Sequence, residues 1–447
     1  MSQRNPSILL VSIDALKPEF VMDTDRFGGL MPALRRHFVE GGAYASRGVK
    51  SVLPSFTLPC HQTLITGTYP ATHGICNNLV FDPTGAHRGA WNWFANKRVP
   101  TLWQLAKEHG YCSASVAFPT SIGARGDYIV PEFWWDGSHL DLPFLDALCL
   151  PQGLVGEMAE DGLECPGGLD LSLDGDRRRK ACAAWVLERK LGPELARRPF
   201  FLSTYFGAYD EAAHVHGVYS PEALATLGQL DALLDSLLAD ARRIAGEDLV
   251  VCVVSDHGTM DNRFCIHPNV LLREAGMITL DGAGRVSQWR AWCQRAGGTA
   301  EIRLHDAFDL ETRASLEELL EGLRRDPSSG VLDVLSGEQA RRERRGFPHA
   351  DFVIIAQKGH EIRDEVSGDY LSPVLAQRAQ HGYSEDFEEM RASCYLAGPG
   401  VPAGLDLETL DLVDVAPTLA SFMGFPMPAA EGRSLRPEGG FQADKAG

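Results

Sequence analysis

Asp256 and His257 stand directly behind the apolar run Leu249–Val254 and ahead of Gly258, a setting that places both where a buried strand ends. In α/β proteins, ligands collect beyond the carboxyl ends of the strands. Two further runs end in the same way. Ile8–Ile13 leads into Asp14, with Ala15–Pro18 turning the chain out, and Pro199–Phe206 precedes Asp210-x-x-x-His214, whose spacing lets a carboxylate and an imidazole reach one ion. Mixed carboxylate and imidazole donors are ordinary zinc ligands. A single Asp after a strand is more often a helix cap, but three runs that bring acids and histidines to one edge describe a metal centre. His381, in Gln380-His-Gly-Tyr383, is a weaker candidate from its setting, since a loop histidine among 14 is usually just solvated.

A hydroxyl stands ready to use such a centre. Leu53–Gly67 reads as a loop entering a short helix, with Pro59 in the first turn and Gly67 as the stop. Thr57 then sits at the helix N-terminus, where free N–H groups and the positive end of the dipole favour an anion. A bound cation would lower the hydroxyl pKa further. The plainer alternative is that Thr57 only caps the helix.

The stretch Pro54–Ile75, with Pro-Ser-Phe-Thr at residues 54–57, and Asn78-Leu-Val-Phe-Asp-Pro83 resemble the nucleotide pyrophosphatase/phosphodiesterase (type I phosphodiesterase) branch of the alkaline phosphatase superfamily, and are similar to the related phosphonoacetate hydrolases. The likeness continues, in the same order, through Asp210-x-x-x-His-x-x-Gly217, Ser255–Gly258, His381–Tyr383 and Asp414–Leu419. It implies two zinc ions, one held by Asp14, Thr57, Asp256 and His257, the other by Asp210, His214 and His381. It also implies that the Asn78 amide and the Thr57 N–H stabilise a nonbridging phosphoryl oxygen, an oxyanion-type role. The expected reaction is hydrolysis of a phosphodiester or pyrophosphate bond in a small phosphorylated substrate through a phosphothreonine intermediate.

Departures from the family pattern bear on the substrate. Leu58 follows the nucleophile where nucleotide-cleaving members place a base-stacking aromatic, and Trp135 falls near a position often filled by tyrosine, so these two are the candidate substrate contacts. Phosphonoacetate hydrolases place carboxylate-binding lysines after the strand that follows the motif. Here Tyr111–Phe118 runs into Pro119–Arg125, which has no lysine, leaving phosphonate or phosphomonoester hydrolysis as the alternative at the same site.

The elements that must position these groups follow from apolar patterning. Strands near 7–13, 111–118, 199–206, 249–254 and 392–397 alternate with helices such as Pro221–Arg243, where Leu224, Leu227, Leu230, Leu233, Leu234 and Leu237 form a stripe. That alternation predicts an alkaline-phosphatase-like α/β core, a mostly parallel sheet sandwiched by helices. Residues 1–261 and 381–436 form the expected core. Residues 262–380, with strands at 301–304 and 351–356 and a helix at 310–325, form a smaller inserted α+β cap, and 437–447 a flexible tail. Glu157–Asp176 reads as a loop, and the basic runs Arg177–Lys180 and Arg341–Arg345 as solvated faces.

Composition narrows the class. A chain of 447 residues that is 44% hydrophobic and 23% charged builds a sizeable core, and a net charge of −18 argues against nucleic acid or anionic membrane as a partner. No run reaches the roughly 18 apolar residues of a membrane span, and Met1–Pro6 enters the Asp14 strand without room for a cleaved signal, so a cytoplasmic location is expected. The ten cysteines lack CxxC pairing and read as reduced core residues, with Cys60 and Cys76 near the nucleophile the candidates for oxidation.

Overall fold

The computed structural model describes residues 5–87, 89–133, 142–165 and 170–436. Its centre is an eight-stranded sheet in the order Leu405–Asp406, Ala43–Tyr44, Cys394–Ala397, Leu249–Val254, Ser7–Ile13, Phe200–Phe206, Cys112–Val116, Tyr128–Val130. The strands from Leu249–Val254 to Tyr128–Val130 are all parallel, whereas Cys394–Ala397 runs antiparallel to both of its neighbours. Every residue of the three central strands is buried. Strands covered on both faces read as near-continuous apolar runs rather than alternating ones, the pattern seen in the sequence.

Helices cover both faces. Pro221–Ala245 lays Leu227, Leu230, Leu234, Leu237 and Leu238 into the core, with Leu224 and Leu233 half-buried at its border, and ends at Gly246. Ser220 caps its start by accepting from the Ala223 N–H. On the other face, Thr57–Thr66 and Val415–Met423 pack with Trp103 against Ile8, Leu10 and Val250. The stretch read as a loop at Glu157–Asp176 is helical at both ends, within Leu154–Glu160 and Leu173–Val186. Met158, with Leu154 and Val155 just ahead of that stretch, buries one face of the first helix.

A second, antiparallel sheet, Ala291–Ala296, Thr299–Leu304, Phe352–Ala356, Val331–Ser336, packs against helix Leu310–Arg325 through Leu316 and Leu320. Its apolar core also takes in Met260, Tyr383 and Met390, so the packing runs past both ends of the 262–380 block. The expected tail at 437–447 lies outside the described residues. Among the described residues no helix is long and apolar enough to cross a membrane. Nine of the ten cysteines are buried, Cys165 is half-buried and all are free. Cys60 and Cys76 are buried, and burial pushes both thiols well up, a setting that weighs against the expected sensitivity to oxidation.

Candidate active site

The register of the central strands sets the site. Ile13 pairs with Phe206 and Ser12 with Val254, so three strands end level at one edge. Asp14 follows Ile13, its N–H bonded to the Phe206 carbonyl at 2.9 Å. Asp256 and His257 follow Leu249–Val254, and Asp210 and His214 lie on helix Ala208–His216 beyond Phe200–Phe206. One turn apart on that helix, they face each other, His214 Nε2 standing 3.1 Å from Asp210 Oδ2.

Around this edge the structure gathers all seven candidate ligands. Thr57 Oγ1 is 3.3 Å from His257 Nε2. The same nitrogen lies 3.1 Å from Asp256 Oδ2 and 3.5 Å from Asp14 Oδ1. His381 Nε2 is 3.8 Å from Asp210 Oδ2, and its ring stacks on His257 with centroids 3.9 Å apart. Two ligand groups emerge, Asp14–Asp256–His257 and Asp210–His257–His381, sharing His257.

These residues fit metal ions, and the electrostatics say why. Asp14 Oδ1, Asp210 Oδ1 and Asp256 Oδ2 are buried oxygens without a hydrogen-bond partner among the described residues, an arrangement that is costly unless a cation meets them. Burial, and then repulsion from Asp256 and Asp210, raise the Asp14 carboxyl well above its usual range. Burial would also raise Asp210, but His214 and His381 outweigh it and hold the carboxyl down at about 2. His214 Nδ1 donates to the Ala379 carbonyl at 2.7 Å and His257 Nδ1 to the Gly258 carbonyl at 3.1 Å. A carbonyl only accepts, so each Nδ1 carries the proton and each Nε2 lone pair is turned to the cluster, the usual outer support of a metal-binding histidine.

The candidate nucleophile, Thr57, is presented by its helix. Phe56 occupies the cap position without a capping side chain and Thr57 is the first helical residue, so the hydroxyl is not spent as a cap. Of the first-turn donors, the Leu58 N–H goes to Asn78 Oδ1 at 2.8 Å, Pro59 has none and the Cys60 N–H bonds the Phe56 carbonyl. That leaves the Thr57 N–H for an anion. Pinning its oxygen to Leu58 also fixes the rotation of the Asn78 amide, which lines the same cavity as Thr57, Asp14, Asp210, His214 and His381. Below, His61 Nδ1 donates to the Thr57 carbonyl at 2.8 Å and Nε2 accepts from Ser12 Oγ at 2.9 Å, tying helix to strand. His381 is held by a close approach. Gly297, at φ 71°, abuts its carbonyl so tightly that a Cβ there would lie 2.0 Å from the oxygen.

Leu58 does not face the cavity. Its side chain is fully buried against Trp93, Ile122, Phe133 and Tyr205, so the expected substrate contact by this side chain is corrected; only its backbone N–H serves the site. Trp135 lies outside the described residues. The cavity wall instead includes Phe56, Leu79, Trp91 and Arg295. None of these carried a sequence signal of its own, although Phe56 and Leu79 each adjoin a residue that did.

The run Arg177–Lys180 is likewise not a plain solvated face. Arg179 is fully buried between Glu132 and Asp176, and Asp176 in turn accepts from the Gly207 and Ala208 N–H groups at 3.0 and 2.9 Å. Gly207 has no side chain to cap helix Ala208–His216, so Asp176 caps it from another helix and sets the pitch of Asp210 and His214. The i, i+3 spacing of Asp176 and Arg179 was the available signal. Asp176→Asn keeps the shape but turns an amide N–H against one of those donors. It is expected to cost about 1–3 kcal/mol, measured as a lower urea midpoint with unchanged slope; an unchanged midpoint would remove the capping role.

Residues 8–384 match the family described as "Type I phosphodiesterase / nucleotide pyrophosphatase". The mouse ectonucleotide pyrophosphatase/phosphodiesterase family member 1 is 25% identical over 257 residues, 57% of this chain and 24% of that protein. The chain thus spans about a quarter of the length of such relatives. Rat family member 7 is 30% identical over 445 residues, covering 94% of this chain and 84% of the relative. The structure of human ectonucleotide pyrophosphatase/phosphodiesterase 5 superposes with a TM-score of 0.61 at 17% identity over 94% of this chain and 95% of that one. An inactive murine form of the same protein, in complex with AMP, gives 0.62 at 18% identity over 94% and 96%. At those identities the two structures speak for the fold alone.

Proposed function

The chain belongs to the type I phosphodiesterase/nucleotide pyrophosphatase family, and from that premise we propose that it hydrolyses phosphodiester or pyrophosphate bonds of small organic phosphates. The observation that carries the reading is the Thr57 hydroxyl, held at a helix N-terminus within 3.3 Å of His257 Nε2 and opening on one cavity with Asp14, Asp210, His214, His381 and Asn78. Asp14, Thr57, Asp256 and His257 would hold one ion, and Asp210, His214 and His381 the other, with His257 common to both groups of donor atoms. Two zinc ions, favoured by the mixed Asp/His donors, would supply Lewis-acid stabilisation and an acidified hydroxyl.

The chain's own groups do the rest. Thr57 Oγ1 attacks phosphorus in line, the bond to the leaving alkoxide or phosphate breaks on the far side, and a phosphothreonine forms. Water then cleaves the P–Oγ1 bond and restores the hydroxyl. The Thr57 N–H and the Asn78 amide face the nonbridging oxygen, where charge builds in the transition state. Burial of Tyr205 and its 2.6 Å hydrogen bond to Asp14 Oδ2 hold that carboxylate in place.

Monoester or phosphonate hydrolysis at the same site is the second reading, and Arg295 in the cavity wall is what favours it, since a dianion calls for an added cation. Asp364 stands 3.5 Å from Arg295 Nε and offsets that charge, which returns the balance to monoanionic diesters. The test is turnover of p-nitrophenyl phosphate, methyl p-nitrophenyl phosphate and phosphonoacetate by the zinc-loaded protein. Diester preference is expected, with Asn78→Ala lowering kcat about 10²-fold. Preference for the monoester or phosphonoacetate would overturn the reading, and an unaffected Asn78→Ala enzyme would overturn the role of the amide.

A further inference from the structure

Two cysteines meet at the border of the core, away from the catalytic cavity. Cys182 is buried in helix Leu173–Val186, and its Sγ stands 3.6 Å from that of Cys165, 17 positions earlier in the chain. Cys165 alone among the ten cysteines is partly exposed. The segments that carry the pair are fastened to each other on both sides of it: Trp185 Nε1 donates to Asp161 Oδ2 and Arg179 Nη1 to the Asp170 carbonyl, each at 2.7 Å. Cys182 Sγ also lies 3.9 Å from the Glu164 carbonyl, so the backbone before Cys165 is close at hand. Closing from 3.6 Å to the roughly 2.05 Å of a disulfide asks for about 1.5 Å of sulfur travel, a shift within the swing of two cysteine side chains.

We propose that Cys165 and Cys182 form a peroxide-responsive dithiol site, in which Cys165 is oxidised first and Cys182 closes a disulfide on it. The geometry gives each sulfur its part. The Cys182 thiol donates to Cys165 Sγ, and that hydrogen bond holds the Cys165 thiol below its ordinary value; the thiolate it favours is the form a peroxide oxidises. The Cys165 sulfur attacks one oxygen of hydrogen peroxide, the O–O bond breaks, and a sulfenic acid forms as hydroxide leaves. Cys182 sulfur then attacks the sulfenic sulfur. The S–S bond forms, the S–O bond breaks, and the hydroxyl departs as water with the Cys182 proton. In all, two thiols give up two electrons and two protons, and one peroxide becomes two waters. Cys252 and Cys394 also meet, but each is 1% exposed within the large sheet, out of an oxidant's reach.

The bond acts on a helix that matters to the site. Leu173–Val186 carries Asp176, whose carboxylate caps helix Ala208–His216, the bearer of Asp210 and His214. Tying Cys182 to the segment that follows Leu154–Glu160 therefore ties down that cap. A cross-link over this span removes chain entropy from the unfolded state, and set against the unfolding entropy of a 447-residue chain it raises the melting temperature by about 3 °C.

The test exposes the reduced full chain to excess hydrogen peroxide, counts free thiols in denaturant and maps cross-linked peptides by mass spectrometry. Wild type is expected to lose two of its ten thiols, to yield a Cys165–Cys182 peptide pair, to melt about 3 °C higher, and to revert on all three counts with dithiothreitol. Cys165→Ser, at a half-buried position that accepts a hydroxyl, is expected to keep every remaining thiol and an unshifted melting temperature. Cys182→Ala removes the second sulfur and is expected to leave Cys165 as a sulfenic acid that dimedone traps. A wild type that keeps all ten thiols, or a cross-link between other cysteines, would overturn the site. Dimedone labelling absent from Cys165 in Cys182→Ala would overturn the order of the two sulfurs.

Discussion

Thr57→Ala is expected to abolish turnover, by about 10⁴-fold or more, while the protein keeps its fold and its bound metal. The magnitude is that of deleting a covalent nucleophile, after which only binding and charge stabilisation remain. The fold survives because Thr57 is the first residue of its helix and makes no cap bond, and alanine suits that position. Metal is expected to stay because Asp14, Asp256 and His257 would still surround one proposed ion position and Asp210, His214 and His381 the other. Thr57→Ser keeps the oxygen and is expected to keep much of the activity. Rapid acid quenching with phosphorus-labelled diester should leave label on residue 57 of the wild type and none on the alanine variant. Turnover by Thr57→Ala above a hundredth of wild type would sink the covalent route.

Removing a ligand acts through a different quantity. Asp210→Ala is expected to lower the bound metal from two ions to one per chain and turnover by at least about 10³-fold, because Asp210 is the only carboxylate among Asp210, His214 and His381. Left without it, His214 also loses its 3.1 Å partner. Elemental analysis after dialysis separates this from a purely chemical defect. A variant that still carries two ions would take Asp210 off the ligand set. Chelation of the wild type should abolish turnover in the same way and lower thermal stability, since an ion that binds only the folded chain adds to its stability by mass action. Re-addition of zinc should restore both.

Much of this was readable from the chain. Largely apolar runs ending in Asp14 and in Asp256–His257 mark parallel strands buried on both faces, and the strand register then brings those ends level. Pro59 and Gly67 bracket a helix whose first residue is Thr57, and the four-residue step from Asp210 to His214 fixes one helical turn. These are local rules, set by side-chain period, by the missing N–H of proline and by the left-handed φ open to glycine, so the residues themselves express them.

What the chain did not express depends on distant segments meeting. Leu58 turns inward because helix Thr57–Thr66 packs against Trp93, Ile122, Phe133 and Tyr205, and no pattern within the helix says which of its faces the core will take. Arg295 reaches the cavity only because the end of its strand in the second sheet meets the His381 segment, with Gly297 admitting the backbone of His381. Asp176 and Arg179 look like surface charges in a charged run until Gly207 and Ala208 arrive above them. In each case the residue type was plain in the sequence, but its burial and its partner are set by packing between elements far apart in the chain, and only the tertiary structure decides them.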